Sequence, residues 1–495
     1  MSTGSKFRPW RALATALTVA VAAMSLSAIP AQATPLVDPA AIGSITVHKF
    51  ERPSTPTNLP NNGTQVDTSG LTPLPGVTFQ VQKVNTIDLS TNAGWQSANT
   101  LSGVFNPANP DASVLGAGYT LGAGTSLVTD AAGTAAFTGL PVGLYLVKET
   151  SYPAGVTPSA PFLVSVPLTD PTNKDAWVYN VHVYPKNSIT AATKTVQDAT
   201  AVKLGDPVVW TIKGDIPNDA VIDGYKITDK LDTKLSYVPT AVVTMTDGTT
   251  ITAGTDYNVT FDAATNTVAV VFTPAGRLVL AAHNAGQVQV VINTTVNTIG
   301  EIANEAIVYP NDHSFNVLPG EPGGPIVTPP VITKWGNITL EKINEKGAAL
   351  AGASFSVYTS AADAKAGTNP VTLGGQTVFT VAANGQLTIT GLRYSDWADG
   401  AAVAPGDPKY RTYYLVETVA PSGYELLAEP ISFLVTSATT AVGVDLQVKN
   451  VPSNGGFQLP FTGGPGTTFL YGAGILIMAG AVLLLVRNRR ANSNS

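Results

Sequence analysis

The chain has 495 residues, a net charge of −6 and no cysteine. With 33 acidic against 27 basic residues it offers no basic stripe to neutralise phosphates, which argues against nucleic-acid binding. Disulfide reinforcement is excluded, and a composition rich in Thr, Val, Gly and Pro with few charges reads as strands and turns.

At the N-terminus, Lys6, Arg8 and Arg11 precede an apolar, helix-prone run from Ala12 to Leu26, and Ala31-Gln32-Ala33 is a small-x-small cleavage site. Residues 1–33 read as an export signal, with the mature chain starting at Thr34. At roughly 100–200 residues per domain, two to four domains fit in the remainder.

The first segment, 34–187, opens with the alternating strand Ser44-Ile45-Thr46-Val47-His48-Lys49, which puts Ile45, Val47 and Lys49 on one face. Strands follow around Val77–Val81 and Leu144–Thr150; the long insertion between Asn85 and Ser126 is, by its length, a candidate binding surface. The segment closes on Trp177-Val178-Tyr179-Asn180-Val181-His182-Val183-Tyr184-Pro185-Lys186-Asn187. Here parity splits: Val181, Val183 and Asn187 share one face, while His182, Tyr184 and Lys186 share the other. Asn187 is expected to look inward and Lys186 to face solvent.

A second β segment, 188–318, contains Lys194 with Val196, Asp229 between Ile227 and Leu231, and Asn304 with Ile302. Residues 319–335 are rich in Pro and Gly and read as a linker that few contacts cross. The third segment, 336–452, repeats the first: Ile338-Thr339-Leu340-Glu341-Lys342 matches the opening strand, Phe355-Ser356-Val357-Tyr358 the Phe79 strand, and Tyr414-Leu415-Val416-Glu417-Thr418 the Leu144 strand. No helix-period segment of useful length is apparent between the termini. The expectation is an all-β chain of three tandem Ig-like β-sandwich domains.

Residues 453–495 form the last part. Leu459-Pro460-Phe461-Thr462-Gly463 precedes an uncharged run from Phe469 to Val486, and Arg487, Arg489 and Arg490 follow. The run reaches the roughly 17–25 residues of a membrane-spanning helix, and the arginines favour the cytoplasmic side.

Parity in the third segment raises a question of chemistry. Ile338, Leu340 and Lys342 share a face; so do Leu415 and Glu417, and Val444, Leu446, Val448 and Asn450. A lone buried lysine is very costly. Beside a carboxyl group in an apolar surround, the lysine loses its proton and the acid gains one, since burial disfavours both charged forms. A neutral lysine is a nucleophile, and the acid polarises the Asn carbonyl and shuttles protons while ammonia leaves. The product is a Lys–Asn isopeptide bond.

These features together resemble the sortase-assembled major pilins of Gram-positive bacteria. The third segment is similar to a CnaB-type domain, with Lys342 and Asn450 as bond partners and Glu417 as catalytic acid. The middle segment resembles a CnaA-type domain, with Lys194 and Asn304 joined through Asp229. The first holds the same residue types, Lys49, Glu149 and Asn187, and leaves open whether a bond forms there. Trp177 to Lys186 resembles the pilin motif of shaft subunits, and Leu459 to Gly463 with the anchor resembles a cell-wall sorting signal. The resemblance implies that a pilus-specific sortase cleaves after Thr462 and joins it to Lys186 of a neighbouring identical subunit. It further implies a minor tip pilin and peptidoglycan as partners, no cofactor, and a structural rather than enzymatic role.

Two rivals stand beside this reading. A monomeric wall-anchored adhesin would use the same sorting signal but has no use for the Lys186 motif. A secreted hydrolase would need a convergent nucleophile or acid/base pair, and none is apparent outside the three clusters. His48, His182, His283 and His313 show no metal-ligand spacing, so no metal site is expected.

Overall fold

The computed structural model describes residues 37–453, so the expected export signal, the sorting motif from Leu459 to Gly463 and the anchor lie outside the described residues. In the first unit, the strand Ile42–His48 lies between Asn180–Val183, to which it is parallel, and the antiparallel Thr134–Pro141. A second sheet, ordered Thr125–Val128, Thr78–Lys83, Gly143–Ser151 and Phe162–Val166, faces it. Period-two alternation places Ile45, Val47, Phe137 and Val181 from one sheet against Phe79, Val81, Tyr145 and Val147 from the other.

The second unit is also a sandwich. The sheet of Ala192–Gln197, Pro207–Asp215, Gln287–Val296 and Leu235–Met245 packs on one holding Lys226–Lys230, Thr267–Phe272 and Ile307–Tyr309. Its core includes the fully buried Trp210 and Tyr225. In the third unit, Val331–Ile343 pairs antiparallel with Gln386–Arg393 and parallel with Leu446–Lys449. Ser354–Tyr358 and Tyr413–Val419 form the core of the opposite sheet. The parallel pairing of an opening strand with a closing strand recurs in the first and third units, which is the structural counterpart of the sequence repeat.

Three expectations need correction. Helices occur between the termini: Asn92–Val104, Pro110–Gly116 and Pro274–Ala282. The first two occupy the long insertion and bury Ala98, Leu101 and Val114 on a small core of their own with Leu89 and Leu144. Their apolar residues recur every three positions amid Asn, Ser and Gly, which dilutes the periodic signal. Start signals were nevertheless present, since Thr91 caps the first helix by accepting from the Gly94 N–H and Pro110 opens the second.

The 319–335 stretch is no loose linker. Gly323 N–H donates to Tyr152 O at 2.6 Å, and Gly155 N–H to Gly324 O, tying it to the first unit. Ile326–Val327 extends the sheet of the second unit, and Val331–Trp335 pairs with Gly300–Asn304 before the same strand runs on into the third. Pro and Gly set the local backbone shape, but partners from distant segments decide whether that backbone is packed. Val444 is the third case: the strand begins at Leu446, and Val444 is 40% exposed.

Candidate functional site

Three buried clusters of a lysine, a carboxylic acid and an asparagine occupy equivalent depths in the three sandwiches. In the first, Lys49 and Asn187 are fully buried, and the Glu149 side chain is 2% exposed. Lys49 Nζ donates to Glu149 Oε1 at 2.5 Å and to Asn187 Oδ1, and Asn187 Nδ2 donates to Glu149 Oε2 at 2.7 Å. The Phe79 ring lies 5.6 Å from the amine. Burial drives the Lys49 ammonium down to about 8, against the attraction of Glu149. A lysine titrating there is neutral in roughly one molecule in ten at pH 7, against fewer than about one in a thousand at its ordinary value.

In the third cluster, Lys342, Glu417 and Asn450 are at most 2% exposed. Lys342 Nζ donates to Asn450 Oδ1 and lies 3.3 Å from Glu417 Oε1. Asn450 Nδ2 donates to both Glu417 oxygens, at 3.1 and 2.9 Å, and to Glu425 O at 2.7 Å. The Leu427 N–H holds Glu417 Oε2 at 3.0 Å. Burial lowers Lys342 from its ordinary value, opposed by Glu417.

The middle cluster is built differently. Lys194 Nζ donates to Asp229 Oδ2 at 2.6 Å and to Glu305 O at 3.2 Å, beside the Trp210 ring. Asn304 Nδ2 reaches Asp229 Oδ2 at 3.5 Å, while Asp229 Oδ1 and Asn304 Oδ1 have no hydrogen-bond partner. Burial lowers Lys194 and raises Asp229, each held back by the other. Both shifts favour the neutral pair over the ion pair. In each cluster an amine, a carboxamide and a carboxyl group therefore meet in a buried, largely apolar space, which is the set of groups that amide exchange with loss of ammonia requires.

Lys186 sits apart from these. It begins the strand Lys186–Ile189, half-buried, with Nζ donating to Tyr184 O at 3.3 Å. The next residue, Asn187, turns inward to the first cluster. Partial burial and the nearby Arg52 guanidinium hold Lys186 below its ordinary value. His48 and His182, scattered in sequence, are neighbours: parallel pairing of their strands stacks the rings and sets His48 Nε2 2.9 Å from His182 Nδ1. Their outward parity was visible in each strand, but the pairing that joins them was not. Among the described residues no cluster of three or more potential ligands could hold a metal.

Residues 42–188 match the N-terminal D1 domain of Gram-positive pilin subunits, 336–450 a prealbumin-like fold domain, and 451–493 the LPXTG cell-wall anchor motif. The chain is 33% identical to the fimbrial subunit type 1 of Actinomyces viscosus, across 97% of each chain. It is 31% identical to the fimbrial subunit type 2 of Actinomyces naeslundii, across 92% of this chain and 91% of that one. The chain belongs to the Gram-positive fimbrial subunits. Among solved structures, the full-length major pilin SpaD of Corynebacterium diphtheriae superposes with a TM-score of 0.67 at 29% identity, over 86% of this chain and all of that one. SpaA of the same species gives 0.60 at 27%, over 83% and 100%. This fimbrial subunit is a structural component of a pilus shaft, processed by sortase, polymerised and anchored to the cell wall. Its role is mechanical rather than enzymatic.

Proposed function

We propose that the shaft is joined through Lys186 and Thr462: a pilus-specific sortase holds the Thr462 acyl group, and the Lys186 amine of the next subunit takes it. The single observation that carries this reading is the split between adjacent residues, Lys186 partly open at a strand start and Asn187 fully buried. The lowered proton affinity of Lys186 suits an amine acceptor. In the same reading Asp229, Glu417 and Glu149 are the acids that form Lys194–Asn304, Lys342–Asn450 and Lys49–Asn187 bonds within domains 188–318, 336–452 and 34–187. The related SpaA structure is described as pointing to a modular pilus assembly with stabilizing isopeptide bonds, which supports the extension to this chain. A minor tip pilin and peptidoglycan complete the set of partners.

The test is an immunoblot of cell-wall extract. Lys186→Ala is expected to abolish the high-mass ladder and leave a wall-attached monomer. Lys186→Arg is expected to do the same, because a guanidinium stays protonated at neutral pH. A ladder surviving in either variant would place the acceptor on another lysine.

A further inference from the structure

The first cluster contains a fourth group. Ser159 lies in Pro158-Ser159-Ala160-Pro161, just after the short strand Val156–Thr157. Its backbone N–H donates to Asn187 Oδ1 at 2.6 Å. Its hydroxyl donates to Glu149 Oε1 at 2.5 Å and accepts from Lys49 Nζ at 3.3 Å. One residue thus touches all three members of the cluster. The flanking prolines restrict the backbone, so the direction of that N–H is set by the chain and not by a rotamer.

The balance of the bond-forming step shows where these contacts act. The Lys49 Nζ–Asn187 Cγ bond forms, the Cγ–Nδ2 bond breaks, and one lysine proton leaves on ammonia; nothing is oxidised or reduced. As the amine adds, negative charge collects on Asn187 Oδ1, the atom that the Ser159 N–H already meets. Glu149 presents Oε1 to the amine and Oε2 to the departing Nδ2, so it can pass a proton from one to the other. The Ser159 hydroxyl holds Oε1 on the amine side. A cavity of about 230 Å³, lined by Glu149, Ser159, Tyr152 and His313 among others, adjoins the cluster and can receive the ammonia.

We infer that Ser159 is a catalytic residue of the first-domain isopeptide bond, its N–H stabilising the oxyanion on Asn187 and its hydroxyl orienting Glu149. The inference rests on the proposed Lys49–Asn187 bond. The other clusters lack a counterpart: Asn304 Oδ1 has no partner, and among the described hydrogen bonds Asn450 Oδ1 meets only Lys342 Nζ.

The experiment follows bond formation in cells expressing the full chain. Protein is pulse-labelled and digested, and the Lys49–Asn187-linked peptide is quantified by mass spectrometry over time. In Ser159→Ala the hydroxyl is lost and the link should form roughly tenfold more slowly, the scale of one hydrogen bond. Ser159→Thr keeps both donors and should restore the wild-type rate. Ser159→Pro removes the N–H itself and should slow the link about a hundredfold or more, the usual effect of deleting an oxyanion donor. The Lys342–Asn450 link in the same molecules should form at the wild-type rate throughout. A wild-type rate in Ser159→Ala, or a Ser159→Thr variant as slow as Ser159→Ala, overturns the role of Ser159 alone. A wild type that never links Lys49 to Asn187 overturns the proposed first-domain bond, and this inference with it.

Discussion

The middle cluster and the third cluster bury the same three functional groups and solve the problem in opposite ways. In the third, the asparagine is the hub: its oxygen meets Lys342, and its nitrogen spans both oxygens of Glu417. In the middle, the aspartate is the hub, and the carboxamide oxygen of Asn304 is left without a partner. An unsatisfied buried polar atom costs about 1–3 kcal/mol, so the unreacted middle cluster is the more strained of the two. A proton on Asp229, favoured by its burial, turns one of the two orphaned acceptors into a donor. The contrast teaches that burial and the three functional groups are shared by the two domains, while the hydrogen-bond wiring is specific to each. Glu417 spans the asparagine nitrogen with both of its oxygens, whereas Asp229 meets it with one and makes its shorter contact to the lysine.

The largest test of this comparison removes the acids. In Glu417→Ala and Asp229→Ala the proton carrier is gone and the lysine is stranded. Loss of a covalent loop of roughly 100 residues costs about 4–5 kcal/mol on the chain-entropy argument used for disulfides. Each variant should be heavier than wild type by one ammonia in intact-mass measurement, once the substitution itself is allowed for, and its domain should melt at markedly lower temperature. Corrected masses that agree between wild type and variant would mean that the bond in that domain never forms.

A further test uses pH in the first domain, where Lys49 is fully buried. Asn187→Ala prevents the bond and leaves Lys49 as a titratable amine. Its folded value of about 8 lies below its ordinary one, so between these limits the unfolded chain binds more protons than the folded one. Stability must then rise with pH, starting near 8 and levelling off near the ordinary lysine value, by about 3 kcal/mol in all. A wild-type domain whose Lys49 is already an amide has nothing to titrate and should show no such rise. Denaturant melts of both proteins across that range decide it.

The smallest expected effect sharpens the wiring itself. Glu417→Asp withdraws the carboxyl group from Asn450, and Asp229→Glu forces an extra methylene into a packed site, which typically costs about 1–3 kcal/mol. Both should still form their bond, but more slowly than wild type, seen as a mixture of two masses in freshly made protein. The shortened Glu417 should suffer more, because it loses two contacts to the hub asparagine. Identical kinetics in all three proteins would show that the wiring difference has no consequence for reaction.

Much of the site is legible in the chain itself because side-chain direction in a strand is a local property with a period of two. Parity alone directs Lys49, Lys194 and Lys342 inward with their acids and asparagines, and the structure buries all of these side chains. The helices of the insertion are harder to read, since their apolar stripe is thin and interrupted by polar residues. Their existence depends on Leu89 and Leu144 supplying a surface to cover.

By itself, then, the amino-acid sequence determined the β-rich sandwich class, the repeat of the first unit in the third, the outward and inward parity of Lys186 and Asn187, and the order of the clusters along the chain. Only the tertiary structure decided which atoms meet. Ser159 reaches Asn187 across 28 positions, His48 reaches His182 across 134, and Asp399 N–H reaches Asp198 across 201 to lock the second unit onto the third. Periodicity reports which way a side chain points, whereas contact depends on strand pairing and register between segments far apart in the chain, and no local pattern encodes that.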